Sequence, residues 1–207
     1  MSPSRLESFS DGVLAIAITL LVLYIRVPPP RLGVSLAHQL GAQWPSYAAY
    51  LTSFLTIGII WINHHAMVRR LGEVDHTILT LNLLLLLTIG VLPFTTALMA
   101  EYVKQSHGQH LAAAIYSGSF LLMSLAFAAT NRYILFTKAP LRRVELSEDE
   151  RRSILARGVG GLAPYAIATA LAVVSAYVTL AICAAVAIFY ALPFTTADRL
   201  KRARGPT

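Results

Sequence analysis

Polar groups that can bond ions or protons stand at the start of the first apolar segment of this 207-residue sequence. Ser10 and Asp11 directly precede the apolar run from Val13 to Val27, and Thr19 is the only polar side chain in the middle of that run. A carboxylate and a hydroxyl so placed can serve a hydrogen-bonded network, a proton relay or the path of an ion. We therefore interpret this segment as a helix that lines a site rather than a simple anchor.

A second polar group ends the second apolar segment as Trp61-Ile-Asn63-His64-His65. Histidine is a common metal ligand and proton carrier, but adjacent histidines on a helix point about 100° apart, unlike the metal-binding i, i+4 pair. Polar groups inside a bilayer must bond one another, so we favour a structural polar network over a proton relay or a metal site. That network would include Arg5, Ser10 and Asp11 of the N-terminal segment. It would also include four polar residues at the start of the third span: Asp75, His76, Thr80 and Asn82.

The composition is that of a membrane protein. Hydrophobic residues make up 56% and charged residues only 13% of the sequence, whereas soluble proteins carry about 25% charged residues. Apolar stretches of roughly 20 residues can cross a bilayer. We predict an all-α integral membrane protein with one domain, residues 1–207, and six transmembrane helices: Ser10–Val27, Tyr47–Val68, Thr77–Ala100, Leu111–Phe136, Ile154–Val174 and Ala176–Thr196.

The basic residues predict the orientation of these spans. If the N-terminus is cytoplasmic, fourteen of the seventeen Lys and Arg residues fall in cytoplasmic segments and three in external ones. Such an excess marks the cytoplasmic side, so we expect both termini in the cytoplasm of a multi-pass protein of the cell membrane. The net charge of +7 then reflects topology and contact with membrane lipid, and no nucleic-acid partner is expected.

Helical phase divides the first span into two sides. At about 100° per residue, one stripe about 120° wide holds seven residues, and Asp11 points roughly the opposite way. The stripe can line a cavity or pack against other helices, and phase alone does not decide between these. Thr19 can also bond the carbonyl of Ala15 one turn back, which would leave it only partly free. The stripe consists of Gly12, Val13, Ile16, Thr19, Leu20, Leu23 and Val27.

Three of the links between the predicted spans contain short sequence patterns that predict their local structure. Ser147-Glu-Asp-Glu150 has the pattern of a capping box, which predicts a short polar helix before the fifth span. The fifth and sixth spans lack a charged spacer, so we place a tight hairpin around Ser175 to Tyr177. The link from Pro28 to Pro45 ends in a tryptophan, an expected interfacial anchor.

One hexapeptide is repeated. Leu92-Pro-Phe-Thr-Thr-Ala97 recurs as residues 192–197, at the predicted ends of spans three and six, which run in opposite directions. Repeats of opposite orientation are typical of transporters. The simpler interpretation, which we favour, is that proline ends two helices and the threonines bond the freed carbonyls.

The polar motifs of the first two spans together resemble those of a known protein family. Arg5-x-x-x-Phe9-Ser10-Asp11, followed by the apolar helix and by Trp61-Ile-Asn63-His64-His65, resembles the prokaryotic six-helix members of the endosomal and lysosomal potassium channel family. This family lacks the Thr-Val-Gly-Tyr-Gly filter of the usual potassium channels, and that filter is also absent from this sequence. The resemblance covers the whole chain in span count and topology.

The resemblance implies a homotetramer with a pore lined by the first helix. It implies a constriction at Ile16, an influence of Thr19 on selectivity, and further apolar rings at Leu20 and Leu23. It places Arg5 and the Phe9-Ser10-Asp11 motif in the polar network, with potassium and other monovalent cations as permeant ions, modest selectivity over sodium, and no cofactor or metal.

Two other functions make different demands on the sequence. A proton-coupled secondary transporter would use Asp11, His64 and His65 as a relay and the repeated hexapeptide as broken helices. A membrane enzyme would need a nucleophile, a metal set or a phosphate loop, and the sequence has no Ser-His-Asp, HExxH or glycine-rich phosphate motif. We therefore expect a channel, keep the transporter as the alternative, and do not expect an enzyme.

Overall fold

The computed structural model describes residues 2–30, 32–137, 143 and 145–192, and within these ranges it contains helices and connecting loops but no strand. A 3₁₀ turn, Leu21–Tyr24, continues the first helix, and a π-helical segment, Tyr133–Thr137, continues the sixth. The α-helices are α1 Pro3–Leu20, α2 Leu36–Ala42, α3 Trp44–Val68, α4 His76–Gly90, α5 Leu92–Tyr102, α6 Gln109–Arg132, α7 Glu148–Val159, α8 Leu162–Leu171 and α9 Ala176–Ala191.

The helices have the length and composition of membrane spans. Within the described ranges, five helical segments are long and apolar enough to cross a bilayer, and α9 is a shorter apolar helix of 16 residues. The predicted all-α membrane architecture is therefore confirmed. The five segments are Pro3–Tyr24, Trp44–Val68, His76–Tyr102, Gln109–Thr137 and Glu148–Leu171.

Local capping signals explain several helix ends. Ser147 accepts a hydrogen bond from the backbone N–H of Glu150, and the Glu150 carboxylate accepts one from the backbone of Ser147, so the predicted capping box and its helix α7 are confirmed. The hairpin between the last two spans is confirmed as well. Helix α8 ends at Leu171, and Ser175 caps α9 by accepting from the backbone N–H of Val178.

The first copy of the repeated hexapeptide breaks a span rather than ending it. Helix α4 stops at Gly90, and Pro93 stands in the first turn of α5, where the missing N–H of proline costs no bond. The span continues to Tyr102, so the expectation that this motif closes span three was wrong. The second copy falls largely on residues 193–197, outside the described residues.

The threonines of this hexapeptide bond the backbone of their own helix, α5, and not the Ile89 carbonyl that Pro93 leaves without its helical donor. Thr96 donates to the carbonyl of Leu92 at 2.7 Å, and Thr95 reaches the same carbonyl at 3.2 Å. Thr96 also bonds the Ser53 hydroxyl of α3, and Thr95 bonds the Ser119 hydroxyl of α6. Hydroxyl groups therefore tie the break in span three to its neighbours inside the apolar bundle.

Helix α6 supplies the centre of the bundle, and α1 lies against one side of it. Tyr116, Phe120 and Met123 of α6 are fully buried, and α6 packs against α4, α5, α8 and α9. Helix α1 contacts α3, α4 and α5 on one side only. Its other side is exposed in the single chain, and this asymmetry defines the candidate site.

Candidate pore-lining helix and its polar network

Helix α1 has one buried and one exposed face. The buried residues recur every three or four positions and continue into the 3₁₀ turn. On the exposed face, the side chains of Ile16 and Leu23 are 61% and 69% exposed, and Leu20 and Thr19 are also exposed. At about 100° per residue, the centres of the two faces lie roughly 140° apart around the helix. The buried residues are Leu6, Ser10, Leu14, Ala17 and Leu21.

Thr19 lies on the exposed face, and its hydroxyl bonds its own helix. The Oγ1 atom lies 2.9 Å from the carbonyl oxygens of Ala15 and Ile16. The predicted bond to Ala15 is therefore confirmed. A hydroxyl has one proton and two lone pairs, so donation to the backbone orients the Thr19 oxygen and leaves its lone pairs available on the exposed face.

A buried amide joins α1 to α3 and α4. The Asn82 Nδ2 group of α4 donates to Ser10 Oγ at 3.0 Å, and Ser10 Oγ donates to the carbonyl of Leu6 at 2.9 Å. His64 Nε2 of α3 lies 2.8 Å from Asn82 Oδ1. Because that amide oxygen can only accept, the Nε2 atom of His64 is the donor. All three side chains, Ser10, His64 and Asn82, are buried.

Two further contacts fasten α1 to α3. The Trp61 indole Nε1–H donates to Asp11 Oδ1 at 2.9 Å, and Glu7 forms an ion pair with His65 Nδ1. Asp11 is half-buried and faces α3 rather than the exposed stripe of Ile16 and Leu23. Its carboxylate thus has a protein partner inside the single chain, as an ionisable group within a membrane requires.

The remaining predicted residues occupy other surroundings. Asn63 donates to the carbonyl of Ile59 in its own helix at 2.8 Å, while Arg5 and Phe9 are exposed. His64 and His65 bond different partners, and no group of three His, Cys, Asp or Glu side chains in the described part of the chain could hold a metal ion.

Of the polar residues expected from the start of the third span, Asn82 bonds Ser10 and His64, whereas Asp75 caps α4 and Thr80 bonds the carbonyl of His76 in its own helix. Glu7 was not named as a site residue from the sequence. Glu7 falls at an unspecified position of the Arg5-x-x-x-Phe9-Ser10-Asp11 motif, so the motif gave no reason to select it.

Comparison with known proteins identifies the family. The model of the family described as endosomal/lysosomal potassium channel TMEM175 matches residues 5–93. A protein named a potassium channel from Streptomyces collinus is 44% identical over 186 residues, which cover 90% of each chain. This chain belongs to the TMEM175 family. The resemblance inferred from the two sequence motifs is thereby confirmed.

Other TMEM175 proteins agree over nearly the full length. A protein named a potassium channel from Chamaesiphon minutus is 39% identical and covers 91% of this chain and 93% of its own length. The crystal structure of a lysosomal potassium-selective channel TMEM175 homolog from Chamaesiphon minutus superposes with a TM-score of 0.81 at 36% identity, over 91% of this chain and 96% of that one. The TMEM175 family is a family of ion channels, not of enzymes.

The Asp11 contact makes a testable prediction for this TMEM175 protein. Asp11→Ala removes the acceptor of the Trp61 indole, and at a partly exposed contact we expect a loss of about 1 kcal/mol. The thermal midpoint of the purified protein should fall by roughly 2–4 °C, with ion preference unchanged. Asp11→Asn keeps an acceptor oxygen and is the matched control, expected near the parent protein. A fully stable Asp11→Ala protein with altered ion preference would place the carboxylate in the ion path instead.

Proposed function

We propose that the chain forms a potassium-permeable cation channel by assembling as a homotetramer around the exposed face of α1. The observation that carries this proposal is the division of α1 into a buried face and an exposed stripe holding Ile16, Thr19, Leu20 and Leu23. One chain has one such helix and cannot enclose a pore with it. Closed cyclic symmetry would bring four copies of the stripe onto one axis. The names of the Streptomyces and Chamaesiphon relatives support potassium as the permeant ion.

Each residue of the stripe then has a physical role. Four Ile16 side chains form the narrowest apolar ring, which resists wetting and sets the main barrier. Four Thr19 oxygens, one turn further along, replace part of the hydration shell of a cation. Leu20 and Leu23 form further apolar rings. A single hydroxyl layer is a modest coordination shell, so selectivity for potassium over sodium is modest as well.

In this proposal, the polar residues hold the pore helix in place and do not touch the ion. Ser10 and Asp11 bind α1 to the partners already described on α3 and α4. Those contacts lie on the faces of α1 turned away from the exposed stripe. Inter-helix contacts support this role for Ser10, Asp11, Trp61, His64 and His65. The sequence motifs assign it also to Arg5, Phe9 and Asn63, of which Asn63 bonds its own helix.

The proposed channel lies in the cell membrane with both termini in the cytoplasm. The support is the distribution of Lys and Arg residues, fourteen of seventeen on the side of the N-terminus. Residues such as Arg69 and Arg132, at the ends of α3 and α6, then lie beside anionic headgroups of the inner leaflet. No cofactor is assigned to this function.

Current measurements under asymmetric salt test the proposed function. Purified protein is reconstituted in a planar bilayer with potassium on one side and sodium on the other. We expect unitary currents whose reversal potential is displaced toward that of potassium, from particles four times the 22.5 kDa mass of one chain. Saturable flux without unitary currents, coupled to a proton gradient, would favour the alternative, a proton-coupled transporter. A monomer with full activity would exclude a pore on the shared axis.

A further inference from the structure

Helix α2 lies outside the packed bundle, in the link between α1 and α3. Ser35 caps it by accepting from the backbone N–H of His38, and no residue of α2 is buried. A helix of seven residues is too short to be stable alone in water. Its leucines remain uncovered by the rest of the described chain: Leu36 is 60% exposed, and Leu40 is exposed too.

The exposed residues of α2 are divided between two sides. Leu36 and Leu40 lie one turn apart on the same side, whereas His38 is about 200° of rotation from either leucine. Gln39, which is half-buried, donates to the carbonyl of Val34 in the loop before the helix. The helix thus has an apolar edge and, opposite to it, a polar edge. That arrangement is typical of a helix lying in a membrane interface.

Nearby side chains mark the level of that interface. Trp44, at the start of α3, stacks on Tyr177 with ring centres 6.1 Å apart, and Lys104 Nζ lies 5.5 Å from the Trp44 ring. Lys104 also donates to the carbonyl of Ala42, the last residue of α2, at 2.9 Å. Tryptophan and tyrosine collect at the headgroup level of membranes, and lysine reaches into it. The end of α2 is therefore tied to the headgroup level.

The length of α3 fits the same placement. Its 25 residues extend about 37 Å at 1.5 Å per residue, more than the ~30 Å hydrocarbon core. That length allows its first turn, directly after α2, to reach the headgroup level at the end of the bundle away from the N-terminus of α1. The α2 helix joins this turn through Gln43 alone.

We propose that α2 is an interfacial helix that inserts Leu36 and Leu40 between the lipids of the leaflet on that side. The occupant of its apolar edge is the boundary between headgroups and acyl chains, with His38 turned toward water. No residue from 36 to 42 is a Lys, Arg, Asp or Glu, so the contact depends on apolar insertion and not on anionic lipid. The link between the first two spans is thereby anchored in the membrane surface.

Spin labels at single cysteines test the proposal in the full-length protein. Leu36→Cys, Leu40→Cys and His38→Cys are labelled one at a time, and the parent chain, whose Cys183 is fully buried, is the unlabelled control. Each variant is reconstituted in phosphatidylcholine vesicles. Collision rates are measured with oxygen, which partitions into lipid, and with a water-soluble nickel chelate.

The expected result is a contrast within one short helix. Labels at 36 and 40 should favour oxygen over nickel, and the label at 38 should favour nickel. The same ranking is expected in vesicles with or without anionic lipid. Three labels that all favour nickel would place α2 in water and overturn the proposal. Low collision rates with both reagents at 36 and 40 would also overturn it, because a second copy of the chain would then cover the leucines.

Discussion

Replacing Ile16 with asparagine should raise the unitary conductance of the channel by roughly tenfold. An apolar ring opposes wetting, and a polar side chain of similar size holds water in the same space. Removing only about 1.4 kcal/mol from the barrier is enough for a tenfold increase in rate. We also expect the reversal potential under opposed potassium and sodium to move toward zero, since a hydrated constriction discriminates less between the two ions. Single-channel recording measures both quantities.

Ile167→Asn is the matched control for this change. Ile167 lies on α8, is of the same residue type and is 54% exposed in the single chain, close to the 61% of Ile16. The control should leave conductance and reversal potential at parent values. Ile18, on another side of α1, is partly buried against the core and would test folding instead. Equal effects at Ile16 and Ile167, or none at Ile16, would show that the stripe of α1 does not line the ion path.

Replacing Asn82 with leucine should give the largest loss of stability among the polar residues of the site. Leucine has a similar size, but it leaves His64 Nε2 without its acceptor and Ser10 Oγ without its donor. Ser10 keeps its bond to the Leu6 carbonyl, so the main cost is the unpaired His64 donor, about 1–3 kcal/mol, and the thermal midpoint should fall by roughly 2–12 °C. Thermal unfolding of the purified protein, followed by loss of the assembled species, measures the shift.

Asn63→Leu provides the comparison at a second asparagine of the site. Its amide is half-buried and bonds only the carbonyl of Ile59 in its own helix, so we expect a shift near zero. The double variant with His64→Leu and Asn82→Leu should lose less than the sum of the single variants, because it removes both partners of one bond. Equal losses from the two asparagine substitutions would mean that the buried amide does not fasten α1 to its neighbours.

Features governed by local sequence were predicted correctly. The apolar runs identified the membrane helices because their length and composition decide whether a segment crosses a bilayer. The capping box at Ser147 and the hairpin before α9 follow from side chains within three residues of the helix ends they stabilise. The bond from Thr19 to Ala15 spans one helical turn, which phase alone determines.

Features set by contacts between distant segments were missed. The pairing of Glu7 with His65 depends on how α1 docks against α3, which no local pattern encodes. Helix α2 was not predicted because seven residues show too little periodicity to distinguish a helix from a loop. The break after Gly90 within span three was not predicted, because a proline can stand in the first turn of a new helix as well as beyond the end of an old one.

The spacing of the network along the chain has a consequence for biogenesis. Ser10 and Asn82 are 72 positions apart, and Asp11 and Trp61 are 50 apart. At a synthesis rate of 5–20 residues per second, α1 exists for roughly 4–14 s before Asn82 is made. During this interval the Ser10 hydroxyl can still donate to the Leu6 carbonyl of its own helix. The Asp11 carboxylate gains the Trp61 indole N–H as its hydrogen-bond donor only when Trp61 has been made. Copies of the nascent chain can therefore associate through an α1 that is already bound to α3 and α4 only after the third span has entered the membrane.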